Sequence, residues 1–495
     1  MTTPFALEEA TIASVHAGFR TGGLSAVELV QACLARIEAY DRRGPALRSL
    51  LTVNPRALDE AARLDAQWRA DARNTGPLHG IPVILKDNFD THDLPTTGGS
   101  VAMRHSQPRR DAFTVERLRA AGALVLAKAN LQEFARGGIS ISSLGGQTLN
   151  PYDLTRTPGG SSGGTGAAIA ANFALLGTGS DTGQSIRSPA SACCLVGVRP
   201  TRGLVSRSGL MPNSFTQDEA GPIARTVEDA ARMLDVMAGW DPRDAVTALG
   251  IGKAPASYAA GLHADALRGA RIGLLENLCG GEERHAPVQA VMEQVLHVME
   301  AQGATVLRLR IPGLEELTAH VSTDRWEARA ACERYFAGLG AEAPVTSFRQ
   351  LVETRTATPE VQQAMEAELA IEDGLAQPDY LRRLANRDRL RVLLASRMAE
   401  LRLDALLYPL QRILVVPTGH TEQAERNGVL SHGTGFPAVT FPGGFSRPTA
   451  TAPLGVPVGA ELLATDFTEA KLLAYAYAFE QAARVRQPPL STPPL

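Results

Sequence analysis

Cysteine is scarce. The five in 495 residues (Cys33, Cys193, Cys194, Cys279 and Cys332) form no Cys-x-x-Cys pair, and adjacent Cys193 and Cys194 suit joint zinc binding poorly, so buried free thiols are expected. The ten histidines are scattered, with no His-Glu-x-x-His cluster, and neither a metal nor a cofactor is implied. An excess of one charge is also missing: 49 basic against 52 acidic side chains leave a net charge of −3 with no polybasic run, which argues against nucleic acid or membrane as partner. Long apolar runs are absent too. The most apolar window, around Gly166 to Gly177, is interrupted by Asn172 and falls well short of the ~20 residues that span a bilayer. The start, Met-Thr-Thr-Pro-Phe-Ala-Leu-Glu-Glu-Ala, has neither the basic nor the apolar region of a signal peptide, so a cytoplasmic protein is expected. No internal repeat is evident. No Gly-Lys-Ser/Thr follows the glycine-rich turns, and Gly177-x-Gly179 lacks a glycine three positions on, which disfavours a phosphate cradle.

What is present is a chain of 44% apolar and 20% charged residues, enough to bury a large core. Its most informative stretch runs from Pro158 to Ser188. Two serine-bearing glycine turns flank a small-residue segment, Gly164 to Leu176, that reads as a helix buried all round and running into a short strand. Glycines at 159, 160, 163, 164, 177, 179 and 183 permit close backbone approach, so Ser161 and Ser185, 24 positions apart, sit where main-chain N–H groups can converge.

This pattern resembles the amidase signature family of serine hydrolases. The resemblance rests on Gly-Gly-Ser-Ser-Gly-Gly at 159–164 and Asp-Thr-Gly-x-Ser-Ile-Arg at 181–187, with Pro189, Ala190, Cys193 and the Gly197, Arg199, Pro200, Thr201, Gly203 run. His79-Gly-Ile-Pro-Val-Ile-Leu-Lys86-Asp87-Asn88 is similar to the family's lysine motif. It is strong over residues 76–240 and weaker at the ends. The resemblance implies an α/β fold: a single large domain over 1–495, with a central mixed, twisted β-sheet covered by helices on both sides. Residues 75–240 would form the signature core, 241–430 a variable cap over the substrate, and 431–485 a return to the core. It also implies a Ser-Ser-Lys triad, with Lys86 as base, Ser161 as bridging serine after a cis peptide bond, and Ser185 as nucleophile.

Local patterns supply elements. Ser25 and Glu28 form a capping box before a helical spacing at Val30, Cys33, Leu34 and Ile37. Leu47 to Val53 is strand-like, and Asn54-Pro55 predicts an N-cap with proline at the first position of a helix reaching about Arg73. Ile81 to Leu85 is a compact apolar run that places Lys86 at the end of a buried strand. Asp111 to Ala121 predicts a helix closed by Gly122, followed by strand Ala123 to Ala127. Thr226 caps a helix ending near Trp240, and 241–270 reads as a surface excursion. Strands at Arg271–Leu275 and Ala304–Leu309 bracket a helix near Val288 to Glu300, and Glu315 to Leu401 is mostly helical. Two sheet strands follow, around 434–444 and 455–459, then a helix from about Thr468. The Pro-rich end, Gln487 to Leu495, is expected to fray.

Hydrolysing a carboxamide requires a nucleophile, a base that also protonates the leaving amine, and donors for the oxyanion. A free lysine, with a pKa of ~10.4, is protonated near neutrality, so Lys86 needs desolvation to act as the base. The bland alternative is a strand-end lysine paired with Asp87. The backbone N–H groups of Thr182, Gly183, Gln184 and Ser185 are the candidate oxyanion donors, even if Ser185 doubles as a helix N-cap. Arg136, Gly137 and Gln184 are candidate substrate-binding residues; Arg136 stands where many relatives carry an apolar residue, and Gln184 where the family commonly has glycine. The side chain of Gln184 projects either into the acyl pocket or into loop packing. Asp181 and Arg187 read as a buried network that holds the loops. Gly160-Ser-Ser-Gly-Gly164 also fits a nucleophile elbow, with Ser162 as nucleophile and His432 as base, but the turn-like 150–158 segment lacks the strand an elbow requires. The leading reading is an amidase acting on small-molecule amides and water, open also to esters or carbamates. Its alternatives are the amidase subunit of a glutamine-dependent amidotransferase and a non-catalytic binding module. The sequence names no substrate and does not decide between a monomer and a homodimer.

Overall fold

The structure, a computed structural model, describes residues 5–340 and 343–495. Its strands are β1 (Leu50–Val53), β2 (Pro82–Lys86), β3 (Leu124–Ala129), β4 (Ile141–Ser142), β5 (Gly146–Gln147), β6 (Leu176–Asp181), β7 (Val196–Arg199), β8 (Glu219–Ala224), β9 (Arg271–Leu275), β10 (Thr305–Leu309), β11 (Ala405–Pro409), β12 (Ala438–Phe445) and β13 (Pro457–Leu463). Eleven of them make one sheet in the order β1-β3-β2-β6-β8-β7-β12-β13-β11-β9-β10, while β4 and β5 pair separately. The sheet is mixed: β3, β2 and β6 run parallel, as do β11, β9 and β10, and the strands between them pair antiparallel. This is the expected α/β fold in a single domain. The central strands β2, β3, β6, β7 and β8 are buried at every position, as a sheet covered by helices requires.

Helix Gly163–Ala170 carries nothing larger than Ile169, and all eight of its residues are buried. Its thinness lets it lie against both the 130 loop and β6. A Cβ on Gly164 would come within 2.1 Å of the Asn130 carbonyl oxygen, and one on Gly177 within 2.3 Å of Thr165 Cγ2. These glycines therefore set the distance between the helix and its neighbours, and with it the position of the turn carrying Ser161.

Several local expectations differ in detail. The helix after β1 starts at Ala57 because Asn54 Oδ1 accepts from Arg56 N–H at 2.9 Å, an Asx turn that takes up the residues read as cap and first turn. The helix capped by Thr226 ends at Met237. The region 241–430 is divided between two structures: β9, β10 and β11 complete the sheet and helix Pro378–Leu401 packs Leu390, Leu394 and Met398 into the main core, whereas helices Asp324–Leu339, Phe348–Glu353 and Pro359–Leu369 form a separate layer. Much of that layer packs around Phe336, Phe348, Leu351 and Met365, in a hydrophobic cluster that reaches Phe134 and Met211 of the core loops. The end of the chain does not fray as expected. The buried guanidinium of Arg36 donates to Thr492 O at 2.7 Å and Pro493 O at 3.0 Å, and Ser491 Oγ to Pro151 O at 2.6 Å, so the segment is held through two of its carbonyls and one hydroxyl.

Candidate active site

Lys86 is the last residue of β2, and no part of it is exposed. Its Nζ lies 2.7 Å from Ser161 Oγ, 2.8 Å from Ser180 Oγ and 3.1 Å from Ser180 O. Burial pushes its pKa down to about 7, against the opposing attraction of the Asp181 and Asp218 carboxylates. A neutral amine has two N–H groups and one lone pair. One N–H donated to the Ser180 carbonyl, which can only accept, and the other to Ser180 Oγ leave the lone pair for the proton of Ser161. The bland pairing of Lys86 with Asp87 does not form: Asp87 meets Lys128 at 3.0 Å and accepts from Thr97 N–H at 3.1 Å.

Ser161 follows a cis peptide bond from Gly160, and its carbonyl accepts from Gln132 N–H at 2.9 Å. Ser185 lies in the loop between β6 and helix Arg187–Ala192, joined to the Ser161 turn where Ser162 N–H donates to Ser185 O at 3.3 Å. No side-chain hydrogen bond links Ser185 to Ser161 among the described residues. Ser185 lines a cavity instead.

The loop from 182 to 185 is held from below. Asp181 is buried between Arg187, at 3.0 Å, and Arg199, at 2.9 Å, and these guanidinium groups hold its carboxyl well below the usual range. Arg187 also reaches Glu461 at 2.7 Å and donates to Gly183 O at 2.6 Å, as the sequence reading of a loop-holding network anticipates. Asp218 adds a brace that the sequence did not reveal, accepting from Thr182 Oγ1 at 2.6 Å and from the N–H groups of Asn213 and Ser214 at 2.8 Å each. Among the described residues no protein acceptor takes the N–H groups of Gly183, Gln184 or Ser185, and the space where a side chain would stand on Gly183 is open.

The cavity on which Ser185 opens has a volume of about 400 Å³. The loop 182–185 forms one wall, Arg136, Gly137 and Asn213 line another, and Asp324 and Glu368 of the helical layer close it. Arg136 is committed: it pairs with Glu368 at 3.0 Å and lies over the Phe348 ring, 5.6 Å from its centroid. Gln184 is 2% exposed and its Oε1 accepts from Gly428 N–H at 3.3 Å. A larger cavity, of about 600 Å³, shares the 212–218 loop as a wall but contains none of Lys86, Ser161 and Ser185. Of these three residues, Ser185 lines the smaller one. The elbow alternative does not assemble: Ser162 Oγ points to Ser180 O at 3.5 Å, and His432 makes no bond to it. Burial, with Arg199, Arg387 and Arg187 nearby, holds His432 neutral. Ser180 and Thr178 were legible only through strand alternation. Both face β2, and Thr178 Oγ1 accepts from Lys86 N–H at 3.0 Å.

Residues 28–473 match the family described as Amidase. The chain is similar in structure to native peptide amidase from Stenotrophomonas maltophilia, with a TM-score of 0.88 and 38% identity, covering 98% of this chain and 99% of that one. It is 35% identical to the A subunit of a glutamyl-tRNA(Gln) amidotransferase from Synechococcus sp. (strain JA-3-3Ab), over 98% of this chain and 94% of the relative. The structure of the corresponding amidotransferase protein from Thermotoga maritima gives a TM-score of 0.75 at 26% identity, covering 99% of each chain.

Proposed function

The chain belongs to the amidase family and is an amide-hydrolysing enzyme, and from that premise we propose that Lys86, Ser161 and Ser185 carry the reaction. Neutral Lys86 takes the proton of Ser161 Oγ as Ser161 takes that of Ser185 Oγ, and the Ser185 oxygen forms a bond to the amide carbonyl carbon. The developing oxyanion meets the N–H groups of the loop Thr182 to Ser185. Collapse breaks the C–N bond as the proton held on Lys86 returns through Ser161 to the leaving amine. Water then adds to the acyl group by the same route and frees Ser185, giving a carboxylic acid and ammonia or an amine. Esters and carbamates fit the same steps.

The observation that carries this reading is the buried contact of 2.7 Å between Lys86 Nζ and Ser161 Oγ, with the lysine pKa at about 7. Its test is turnover of a panel of aliphatic amides, anilides, amino-acid amides and carbamates by wild type and Ser185→Ala. The variant is expected to lose a factor on the order of 10⁴ to 10⁶ with its fold intact. Substantial activity left in Ser185→Ala would reject the assignment.

The curated relatives favour a second reading, in which this chain is the amidase component of a glutamine-dependent amidotransferase and the ammonia passes to a partner. The Ser185 chemistry is common to both. Affinity purification from the native host separates them: a stoichiometric partner, with glutaminase activity only in its presence, supports the amidotransferase, whereas full activity of the isolated chain supports the stand-alone amidase.

A further inference from the structure

Two residues that line the pocket beside Ser185 each carry a buried polar atom that no protein group satisfies among the described residues. Gln184 Nε2 is one and Asn213 Oδ1 the other, in side chains that are 2% and 7% exposed. Both residues line the cavity on which Ser185 opens. Their orientations are set by their other halves: Gln184 Oε1 accepts from Gly428 N–H at 3.3 Å, and Asn213 Nδ2 donates to Ala135 O at 3.1 Å. The free half of Gln184 is thus a donor and the free half of Asn213 an acceptor. The glutamine has a fitted seat, because a Cβ on Gly428 would meet Gln184 Cβ at 2.5 Å. Packing accounts for the Oε1 side of the glutamine but leaves Nε2 without a partner, and a buried polar atom in that condition is unfavourable until a ligand supplies one.

We propose that Gln184 Nε2 and Asn213 Oδ1 form a subsite for a second planar amide group on the acyl portion of the substrate, the C=O facing Gln184 and the N–H facing Asn213. The scissile carbonyl is already served by the backbone donors of residues 182–185, so the side chains are free to read a neighbouring group. The enzyme then prefers a carboxamide whose acyl part carries a peptide linkage over one of equal size that is hydrocarbon there. An amide-free analogue leaves both side-chain atoms buried and unpaired, which is how a hydrogen-bonding site rejects an apolar competitor.

This inference rests on the amide-hydrolysis reading. Its test compares kcat/KM for an N-acetylated amino-acid amide with that for the analogue in which two methylenes replace the peptide group, using wild type, Gln184→Met and Asn213→Leu. Wild type is expected to prefer the peptide-bearing amide by at least about tenfold, and each substitution to reduce that ratio several-fold, chiefly through the peptide-bearing substrate. Equal turnover of both amides by wild type overturns the subsite while leaving the Ser185 chemistry standing, and it needs no variant to fold. A wild-type preference that survives both substitutions also overturns it, as does an equal loss on both substrates, which would place these side chains on the scissile amide. No turnover of any amide removes the hydrolysis reading first, and the subsite with it.

Discussion

Replacing Lys86 by Met separates the two consequences of burying an amine. In wild type, burial lowers the lysine pKa from 10.5 to about 7. Because the neutral amine is the base, turnover should rise about tenfold per pH unit below 7 and level off above about 8, whereas an ordinary lysine would keep the limb rising past 10. Lys86→Met should lose this limb together with nearly all activity. Stability should move the other way. A lysine whose pKa falls on folding holds fewer protons in the native than in the unfolded state, so its contribution improves as pH rises from about 7 to about 10.5 and is least favourable below 7. The shift corresponds to at most about 5 kcal/mol, and hydrogen bonds lost at Ser161 and Ser180 offset about 1–2 kcal/mol, so Lys86→Met should be roughly 3 kcal/mol more stable near pH 6. The advantage should shrink toward pH 10. Urea unfolding of both proteins across this range measures it. The difference isolates Lys86, because Asp90, Glu219 and Glu480, whose carboxyls burial pushes up to about 7, 8 and 7, titrate in both. A variant less stable than wild type at every pH, or a wild-type rate limb centred near 10, would refute the reasoning.

Ser162→Ala should retain most turnover, because its hydroxyl makes only a long contact to Ser180 O; loss of activity there with retention in Ser185→Ala would revive the elbow. Gly164→Ala should destabilise the protein by about 1–3 kcal/mol in denaturant titration, since its methyl group meets the Asn130 and Ser49 carbonyls and must displace the helix. Arg187→Met leaves Glu461 and Asp181 buried with fewer cationic partners, and a loss of about 3–5 kcal/mol is expected by the same assay.

The chemistry-bearing blocks were legible because they are local. Lys86 closes a continuous apolar strand and glycines surround Ser161 and Ser185, and it is on these blocks that the resemblance implying the triad rests. The Asp181–Arg187 pair lies within one turn of the same segment. The second partner of that arginine, Glu461, comes from β13, far along the chain, and nothing in its surroundings announces a buried carboxylate. Likewise Asp218, which braces Thr182, and Asn213, which faces the cavity, depend on a loop whose path is fixed by packing. The pairing of Arg136 with Glu368 joins residues 232 positions apart, so the carboxylate that holds this candidate substrate-binding arginine was not legible in the sequence. The docked C-terminal segment shows the same limit: a proline-rich run reads as loose until the buried Arg36 that gathers its carbonyls is seen.

The most direct measurement is the mass of the acylated enzyme. Incubation with an activated acyl donor that deacylates slowly, followed by acid quench and peptide mapping, should place one acyl group on the peptide containing Ser185, with fragmentation assigning it to that residue and none appearing in Ser185→Ala. In Lys86→Met the adduct should form far more slowly but at the same residue. An acyl group on Ser161, Ser162 or a cysteine, or steady turnover with no adduct under conditions that trap one in other serine hydrolases, would contradict the account.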